Sequence, residues 1–317
     1  MRFNLNAGWG PILAERISQG QTGKMFLVGK SALAYRDMWQ EIFGVDADGS
    51  VLFFSTVDAA IGACTSAAND TIYVLPGHTE TVTSTSIAHD VAGVKIVGLG
   101  TGNNRPTFTF GAAAATITVS AANCSWENCR FIANFADVAS AFTLTTATGF
   151  TVKNCDFLDT SSILNFLVCV TTSATNNQSD GLSVIGNYWY SLAATAGAFI
   201  SILANELRLL VTDNIVDKAA TNDAGQFITL SSKIVGGVRI LRNILTVVGS
   251  TGAAVGVFLT GSGSTSSGII AYNLCTSLDT TGALFMTAGT GISPQENYMS
   301  GAVDKSGTLF PAADNPA

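Results

Sequence analysis

Three stretches of the sequence share one form, a short apolar run that ends at an asparagine: Leu182-Ser-Val-Ile-Gly-Asn187, Leu209-Leu-Val-Thr-Asp-Asn214 and Val238-Arg-Ile-Leu-Arg-Asn243. The form recurs every 24 to 33 residues and ends at seven asparagines, which are Asn128, Asn154, Asn187, Asn214, Asn243, Asn273 and Asn297. Short β-branched strands at this spacing, without a helical pattern between them, are typical of the coils of a parallel β-solenoid. The sequence therefore predicts an all-β stack of such coils.

The seven asparagines are expected to form a ladder at one bend of the solenoid. An inward-facing amide can bond to the same residue in the coil above and below, and this satisfies polar groups that are costly to bury unpaired. The expected role is structural rather than catalytic or ligand-binding.

The same alignment places the residue before each asparagine on the outside. It then pairs Glu127 with Lys153, and Asp213 with Arg242, on adjacent coils. Exposed pairs of this kind contribute at most about 1 kcal/mol each, so they support the alignment more than they explain stability.

Composition and charge exclude several functional classes. The 317 residues are 47% hydrophobic and only 12% charged, with a net charge of -7. Such a chain has no basic surface for nucleic acid and no apolar run long enough to cross a membrane. We expect a soluble protein without a secretory signal and without a cofactor.

The cysteines and histidines indicate no metal site. The six cysteines are scattered, and neither histidine lies near a cysteine pair at zinc-ligand spacing. Reduced, buried thiols are favoured over disulfides. Cys129 and Cys155 follow their asparagines directly, so they are expected to stack on neighbouring coils, as a buried pair rather than a redox switch.

The start of the repeat has its own signature. Ser55 and Thr56 can cap a short amphipathic helix, and a β-branched strand, Ile72-Tyr-Val-Leu75, follows before the turn at Pro76-Gly77. This order resembles the opening of right-handed parallel β-helix domains of the pectate-lyase-like superfamily, in which the helix closes the N-terminal end. The expected division is an N-terminal arm (1–53), a right-handed parallel β-helix (54–310) and a C-terminal tail (311–317).

The arm is expected either to attach the protein to a partner or to fold back as a cap. It lacks the repeat and is interrupted by glycines. It also carries apolar side chains that need a partner to be buried, so the candidate attachment residues are Phe3, Trp9, Ile12, Leu13, Phe26 and Trp39.

Candidate catalytic groups do not converge in the aligned repeat. The acids considered are Asp156, Asp159, Asp180, Asp213, Asp217 and Asp223, and no two pairs of them occupy equivalent positions in the coils. Turn and surface roles are favoured over polysaccharide cleavage by paired carboxylates. The dense aromatic patch Tyr188-Trp189-Tyr190 is either a glycan platform or a subunit contact, with at least one ring expected in the core.

A second resemblance concerns residues 20 to 110. The segments Tyr35-Arg-Asp-Met-Trp-Gln-Glu-Ile-Phe43, Tyr73-Val-Leu-Pro-Gly-His-Thr-Glu80 and Gly98-Leu-Gly-Thr-Gly102, with the helix at 54–64, resemble β-helical virion proteins of tailed bacteriophages. This resemblance implies a non-enzymatic virion component, either a capsid decoration protein or a head spike.

The expected partners follow from that resemblance and from the low charge. They are further copies of the chain in a homotrimer, and the major capsid protein or other virion proteins. The first alternative is a tailspike that binds or cleaves host surface polysaccharide, and the second is a non-viral adhesin of similar fold.

Overall fold

The computed structural model describes residues 23–30, 37, 49, 51–84, 87–192, 197–219, 226–230, 233–248, 257–260, 266–277, 286–287, 291–300 and 308–310. These residues form an all-β solenoid of parallel strands, as the repeat predicts. Successive strands of each coil enter sheets A, B and C in turn, so strands that are neighbours in a sheet come from successive coils.

Sheet A contains the strands that precede the repeated turn, which is the bend where the asparagines of the repeat lie. In order across the sheet they are β2 (Phe53–Phe54), β1 (Met25–Val28), β3 (Thr71–Val74), β6 (Lys95–Gly98), β9 (Ser125–Glu127), β12 (Thr151–Lys153), β15 (Ser183–Ile185), β19 (Leu210–Thr212), β23 (Val238–Leu241), β26 (Gly268–Ala271) and β29 (Ile292–Gln295). All pairings within this sheet are parallel.

Sheet B follows directly after the repeated turn. Its strands are β4 (Thr79–Val82), β7 (Thr107–Phe110), β10 (Arg130–Ala133), β13 (Asp156–Asp159), β16 (Tyr188–Ser191), β20 (Ile215–Lys218), β24 (Ile244–Val247), β27 (Leu274–Ser277), β30 (Asn297–Ser300) and β31 (Thr308–Phe310). The last strand, β31, pairs antiparallel with β30 and so ends the parallel run.

Sheet C completes each coil. Its strands are β5 (Ala88–His89), β8 (Ile117–Val119), β11 (Phe142–Leu144), β14 (Val168–Thr171), β17 (Ala198–Ile202), β21 (Gln226–Leu230), β25 (Val257–Thr260) and β28 (Met286–Thr287). A small two-stranded sheet, β18 (Glu206–Leu207) with β22 (Val235–Gly236), lies between sheets C and A.

Alternation along the strands of sheet B fills the interior with large side chains. In β10, Phe131 and Ala133 point inward, whereas Arg130 and Ile132 point outward. Phe108, Phe131 and Phe157 stack in one inward column of sheet B, with ring centroids 5.7 and 5.1 Å apart. Because side chains alternate between the faces of a strand, every second residue of sheet B is left on the outer surface.

Helix α1 (Val57–Ala63) packs at the N-terminal end of the solenoid, as the sequence predicts. Thr56 Oγ1 accepts a hydrogen bond from the N–H of Ala59 at 3.4 Å, and Val57, Ala60 and Ile61 are buried. A carboxylate from sheet B also holds the helix, because Glu80 Oε2 accepts a bond from the Val57 N–H at 3.0 Å. A 3₁₀ turn, Gly102–Asn104, precedes β7.

Part of the predicted arm belongs to the solenoid itself. Strand β1 lies between β2 and β3 in sheet A, and Phe26 is only 2% exposed. Its ring packs against that of Phe54, with centroids 6.0 Å apart. The prediction of Phe26 as an attachment residue is therefore wrong, because apolar alternation in β1 directs it into the core. The other five, Phe3, Trp9, Ile12, Leu13 and Trp39, lie outside the described residues.

Candidate interaction surface

Five of the seven predicted asparagines form a continuous buried ladder. Each Nδ2 donates to the Oδ1 of the next, at 3.0 Å from Asn187 to Asn214 and 2.9 Å for the three later steps, through Asn243 and Asn273 to Asn297. The backbone N–H of each donor residue bonds to the same Oδ1 at 2.8 to 3.0 Å. The ladder thus fixes the turn that leads from sheet A into sheet B.

The other two predicted asparagines lie in the same turn, one position before the ladder position. Asn128 and Asn154 have left-handed backbones, with φ of 56° and 53°, and the ladder position is taken by Cys129 and Cys155. The two roles are easily confused because asparagine tolerates a left-handed backbone. The sequence does contain a signal that separates the two positions. The inward apolar residue of the preceding strand lies two positions before Asn154, at Val152, but three positions before the asparagines of the ladder.

The two cysteines continue the ladder column in modified form. The Cys155 N–H donates to Asn187 Oδ1 at 2.9 Å, and the Cys129 N–H lies 3.5 Å from Cys155 Sγ. Both thiols are free and buried, and burial raises the pKa of Cys155 to about 12. Neutral thiols can therefore occupy this column, as expected from the sequence.

The predicted charge pairs are present outside this turn. Lys153 Nζ lies 3.0 Å from Glu127 Oε1, and Arg242 binds both carboxylate oxygens of Asp213 at 2.7 Å. Arg242 holds the pKa of Asp213 below its usual value. These pairs give the margin of sheet A a charged, solvent-facing character.

The candidate acids are distributed over different faces. Asp156 lies outside sheet B, where it contacts Arg105 at 2.6 Å and Arg130 at 3.4 Å, whereas Asp159 points inward and accepts bonds from the N–H groups of Phe166 and Leu192. Asp217 is on the outer face of sheet B, Asp213 is in the A–B turn, and Asp223 lies outside the described residues.

Among the described residues, the buried ionisable groups that sequence reasoning misses include Lys218 and Glu206. Lys218 is fully buried in the same inward column as Asp159, where Nζ donates to the carbonyl of Gly197 at 2.6 Å and lies 4.8 Å from the Trp189 ring centroid. Strand parity could have revealed it, because Lys218 lies four residues after the ladder member Asn214 and so faces inward with it.

The second is Glu206, which is 3% exposed and lies beside Asp180 between sheets C and A. Glu206 Oε2 accepts a bond from the Ser179 N–H at 3.1 Å, and Asp180 Oδ1 accepts one from the Leu207 N–H at 2.7 Å. Burial, together with Asp180, raises the pKa of Glu206 to about 7. A protonated Glu206 can share its proton with Asp180 and remain buried.

Large exposed apolar side chains gather on the outer face of sheet B. We call this surface the tyrosine stripe, and its members on five successive strands are Tyr188, Tyr190, Ile215, Ile244, Leu274 and Tyr298. Tyr190, Ile215, Leu274 and Tyr298 are 36 to 53% exposed. Trp189 points inward between the two tyrosines and is fully buried, which confirms the predicted alternation in the aromatic triplet. The stripe is an apolar surface suited to another macromolecule.

A second surface lies at the far edge of sheet C. This threonine groove has a volume of about 590 Å³, and its lining includes Thr143, Thr145, Thr171, Thr175, Gln178 and Leu203. Leu203, Leu207 and Ile234 beside it are 39 to 47% exposed. The groove is uncharged, so it can accept apolar side chains without desolvating an ion.

Comparisons of the chain with protein-family models, curated proteins and solved structures find no match. Among the residues that the structure describes, no group of three or more metal-binding side chains occurs. In the same residues, no helix has the length and apolarity to span a bilayer. The fold and its surfaces are therefore the basis on which a function is proposed.

Proposed function

We propose that this chain is a non-enzymatic structural protein of a bacteriophage virion, a capsid-associated decoration protein or head spike that acts as a homotrimer. The observation that carries the proposal is the tyrosine stripe, which runs along the solenoid on successive strands of one sheet. An exposed apolar face of this extent marks a contact with another protein chain. The stripe would serve contacts between copies, and the N-terminal segment would attach them to the major capsid protein or another virion protein.

The resemblance of residues 20 to 110 to β-helical virion proteins supports the viral part of this proposal. The solenoid fold is compatible with it, since a stack of coils makes a rigid projecting body. Assembly would take place in the host cytoplasm, and the mature location would be the virion.

The deciding experiment measures the copy number and position of the chain in purified particles of the virus that encodes it. We expect quantitative mass spectrometry and electron cryomicroscopy to find it on the head, either as many copies over the shell or as groups of three. Absence from purified particles would overturn the proposal. A few copies at the tail tip would replace it with the tailspike alternative.

The tailspike alternative is favoured by one observation, the exposure of Tyr190, Tyr272 and Tyr298, because tyrosine rings can stack on sugars. Purified protein incubated with host capsule or lipopolysaccharide tests it. Under our proposal, gel filtration shows both polymers at unchanged length. Shortening of either polymer, with loss of that activity in Asp213→Ala or Asp217→Ala, would establish a cleaving tailspike instead.

A further inference from the structure

A carboxyl side chain occupies a buried corner position that small or apolar residues fill on the neighbouring coils. The corner between sheets C and A carries left-handed residues on four successive coils, with φ of 60° to 78°: Gly149, Gly181, Arg208 and Gly237. The residues two positions earlier are at most 3% exposed: Ala147, Ser179, Glu206 and Val235. An ionised carboxylate is costly to bury without a cation, so Glu206 requires a local explanation.

Glu206 and Asp180 tie two successive coils together, because each carboxyl binds the backbone of the other's coil. Glu206 Oε2 accepts a hydrogen bond from the Ser179 N–H at 3.1 Å, and Asp180 Oδ1 accepts one from the Leu207 N–H at 2.7 Å. Both bonds join residues 27 positions apart in the sequence. The two carboxyl groups therefore hold the same corner from its two coils.

One proton completes the contact between the two carboxyl groups. Glu206 Oε1 is buried and accepts no hydrogen bond from the described part of the chain, while the Asp180 carboxyl lies within hydrogen-bonding reach of Glu206. A proton on Glu206 makes this carboxyl a donor to Asp180, whereas two ionised carboxylates at this distance repel each other.

No cation pairs with these two acids in the residues that the structure describes. The charged side chains on the elements packed against them are Arg208, which follows β18, and Lys233, which precedes β22. Neither forms an ion pair with Glu206 or Asp180. The charge of the pair therefore depends on its own proton.

The same corner holds one wall of the threonine groove. Residues 173–180 form a loop, here called the groove loop, which contributes Ser173, Thr175 and Gln178 to the lining. The Ser173 N–H donates to Ser179 Oγ at 2.9 Å, and the Ser179 N–H donates in turn to Glu206. Hydrogen bonds thus connect Glu206 to the groove through Ser179, which is 1% exposed.

We propose that the Glu206–Asp180 pair is a proton-operated latch on the groove loop. With a shared proton the latch is closed and the groove keeps its wall. When that proton leaves for solvent, past the partly exposed Asp180, the two carboxylates repel each other and the loop separates more readily from the coil of β18. The latch goes beyond the proposed virion role and does not depend on it, because it needs no second chain.

The pH range of the latch follows from the burial of Glu206. Burial, with a further contribution from Asp180, raises the pKa of Glu206 to about 7. When the loop opens, this carboxyl returns to water, where a glutamate has a pKa of about 4.3. The open form therefore becomes more populated as the pH rises from about 4.3 to about 7, and its population changes no further above that pH.

Hydrogen exchange of the full chain between about pH 5 and about pH 9 tests the latch, with each amide rate divided by its intrinsic rate at the same pH. Protection of the amides of residues 179 and 207 should fall by up to about tenfold per pH unit until about pH 7 and then level. The amide of residue 173 should follow the same profile, because Ser179 Oγ accepts its hydrogen bond. The internal reference is the amide of Asn123 at the same corner of an earlier coil, which donates to the Thr148 carbonyl at 2.8 Å and should keep its protection.

Two substitutions and one matched control separate the latch from a purely structural role. Glu206→Gln keeps a donor toward Asp180 but cannot ionise, so the three amides should keep their protection at every pH. Asp180→Asn removes the like charge and offers an N–H donor to Glu206, so the fall should level at a lower pH than in the wild type. The control, Glu127→Gln on the exposed margin of sheet A, should retain the wild-type profile.

Flat profiles at residues 179 and 207 in the wild type, or an unchanged fall in Glu206→Gln, would overturn the latch. A parallel fall at residue 123 would also overturn it, since that result indicates opening of the whole solenoid. If residues 179 and 207 respond and residue 173 does not, the pair acts on the corner alone and the link to the groove is wrong. Should circular dichroism show that Glu206→Gln does not fold, Asp180→Asn carries the same test through the shifted profile.

Discussion

The asparagine ladder can be separated from the neighbouring left-handed position by making the same substitution at both. Asn214→Gly removes a buried Oδ1 that accepts from the N–H and Nδ2 of Asn187, at 2.9 and 3.0 Å. It also removes the Nδ2 that donates to the carbonyl of Val184. Asn187 Nδ2 keeps its bond to the Val152 carbonyl, so the main loss is the partner of the buried Asn187 N–H.

An orphaned buried N–H costs about 1 to 3 kcal/mol, and the greater conformational freedom of glycine in the unfolded chain costs about 0.5 to 1 kcal/mol more. The expected loss of unfolding free energy for Asn214→Gly is therefore about 2 to 4 kcal/mol. Asn154→Gly should change it by no more than about 0.5 kcal/mol, because Asn154 is exposed, its φ is 53°, and the next coil already has Gly186 at that position.

Urea unfolding followed by the fluorescence of Trp126 and Trp189, both fully buried, compares the two variants. Hydrogen exchange adds a local measurement, since the amide of residue 187 should exchange about tenfold to a hundredfold faster in Asn214→Gly only. Equal losses in the two variants, or an unchanged amide at residue 187, would refute the separation of the two positions.

Three further predictions concern other parts of the chain. Phe26→Ala should lower the free energy of unfolding by about 3 to 5 kcal/mol in urea titrations, because the ring fills the core. An unchanged urea midpoint would instead support the role of Phe26 as an attachment residue. The pKa of Glu206 is about 7 in the folded chain. The free energy of unfolding is therefore highest at pH values below the pKa of this carboxyl in the unfolded chain, and it falls as the pH rises to 7, by at most about 3 kcal/mol. Glu206→Gln should flatten this part of the stability–pH profile measured by denaturant titration, and an unchanged slope would contradict the assignment. Deletion of residues 1–20 should leave the circular-dichroism spectrum unchanged and abolish incorporation into particles, whereas full occupancy would place attachment on the solenoid.

The repeat was sufficient to predict the fold because each coil repeats the same local requirement. An apolar strand, a left-handed residue and an inward polar residue recur in that order, and the register of β15, β19 and β23 agrees with the aligned sequences. The capping helix was predictable for a similar reason, since Thr56 and the spacing of Val57, Ala60 and Ile61 are local signals.

The errors arose where two explanations fit one residue type. Asparagine suits both the left-handed position and the ladder position of the turn. The sequence alignment therefore equates Asn128 and Asn154 with the ladder asparagines, although they lie one residue earlier in the turn. The sequence places Phe26 in the arm because the repeat begins later in the chain, whereas the pairing of β1 with β3 joins residues 46 positions apart. No short-range pattern carries that information.

The candidate surfaces could be predicted only in part. Alternation along the strand predicts that Trp189 points inward and that the two neighbouring tyrosines point outward. The tyrosine stripe, however, also contains the residues that β20, β24, β27 and β30 place beside those tyrosines, and the register between these strands is not evident from alternation. The Glu206–Asp180 contact depends on a connection between sheets C and A, whose conformation no periodic signal determines.

The turn between sheets A and B has a constant length, so sequence insertions and deletions are expected at the other corners of the coil. Two residues separate the strands at each ladder position from Asn187 to Asn273, whereas the segments from sheet C to sheet A have six residues after β11 and eleven after β14. Length changes at the C–A corner therefore leave the hydrogen-bonded column undisturbed. A foreign peptide inserted near the exposed residues 174–177 should be displayed at the height of that coil, and further insertions at the C–A corners of other coils would add peptides at intervals of one coil, so the chain offers a scaffold for multivalent presentation of antigens.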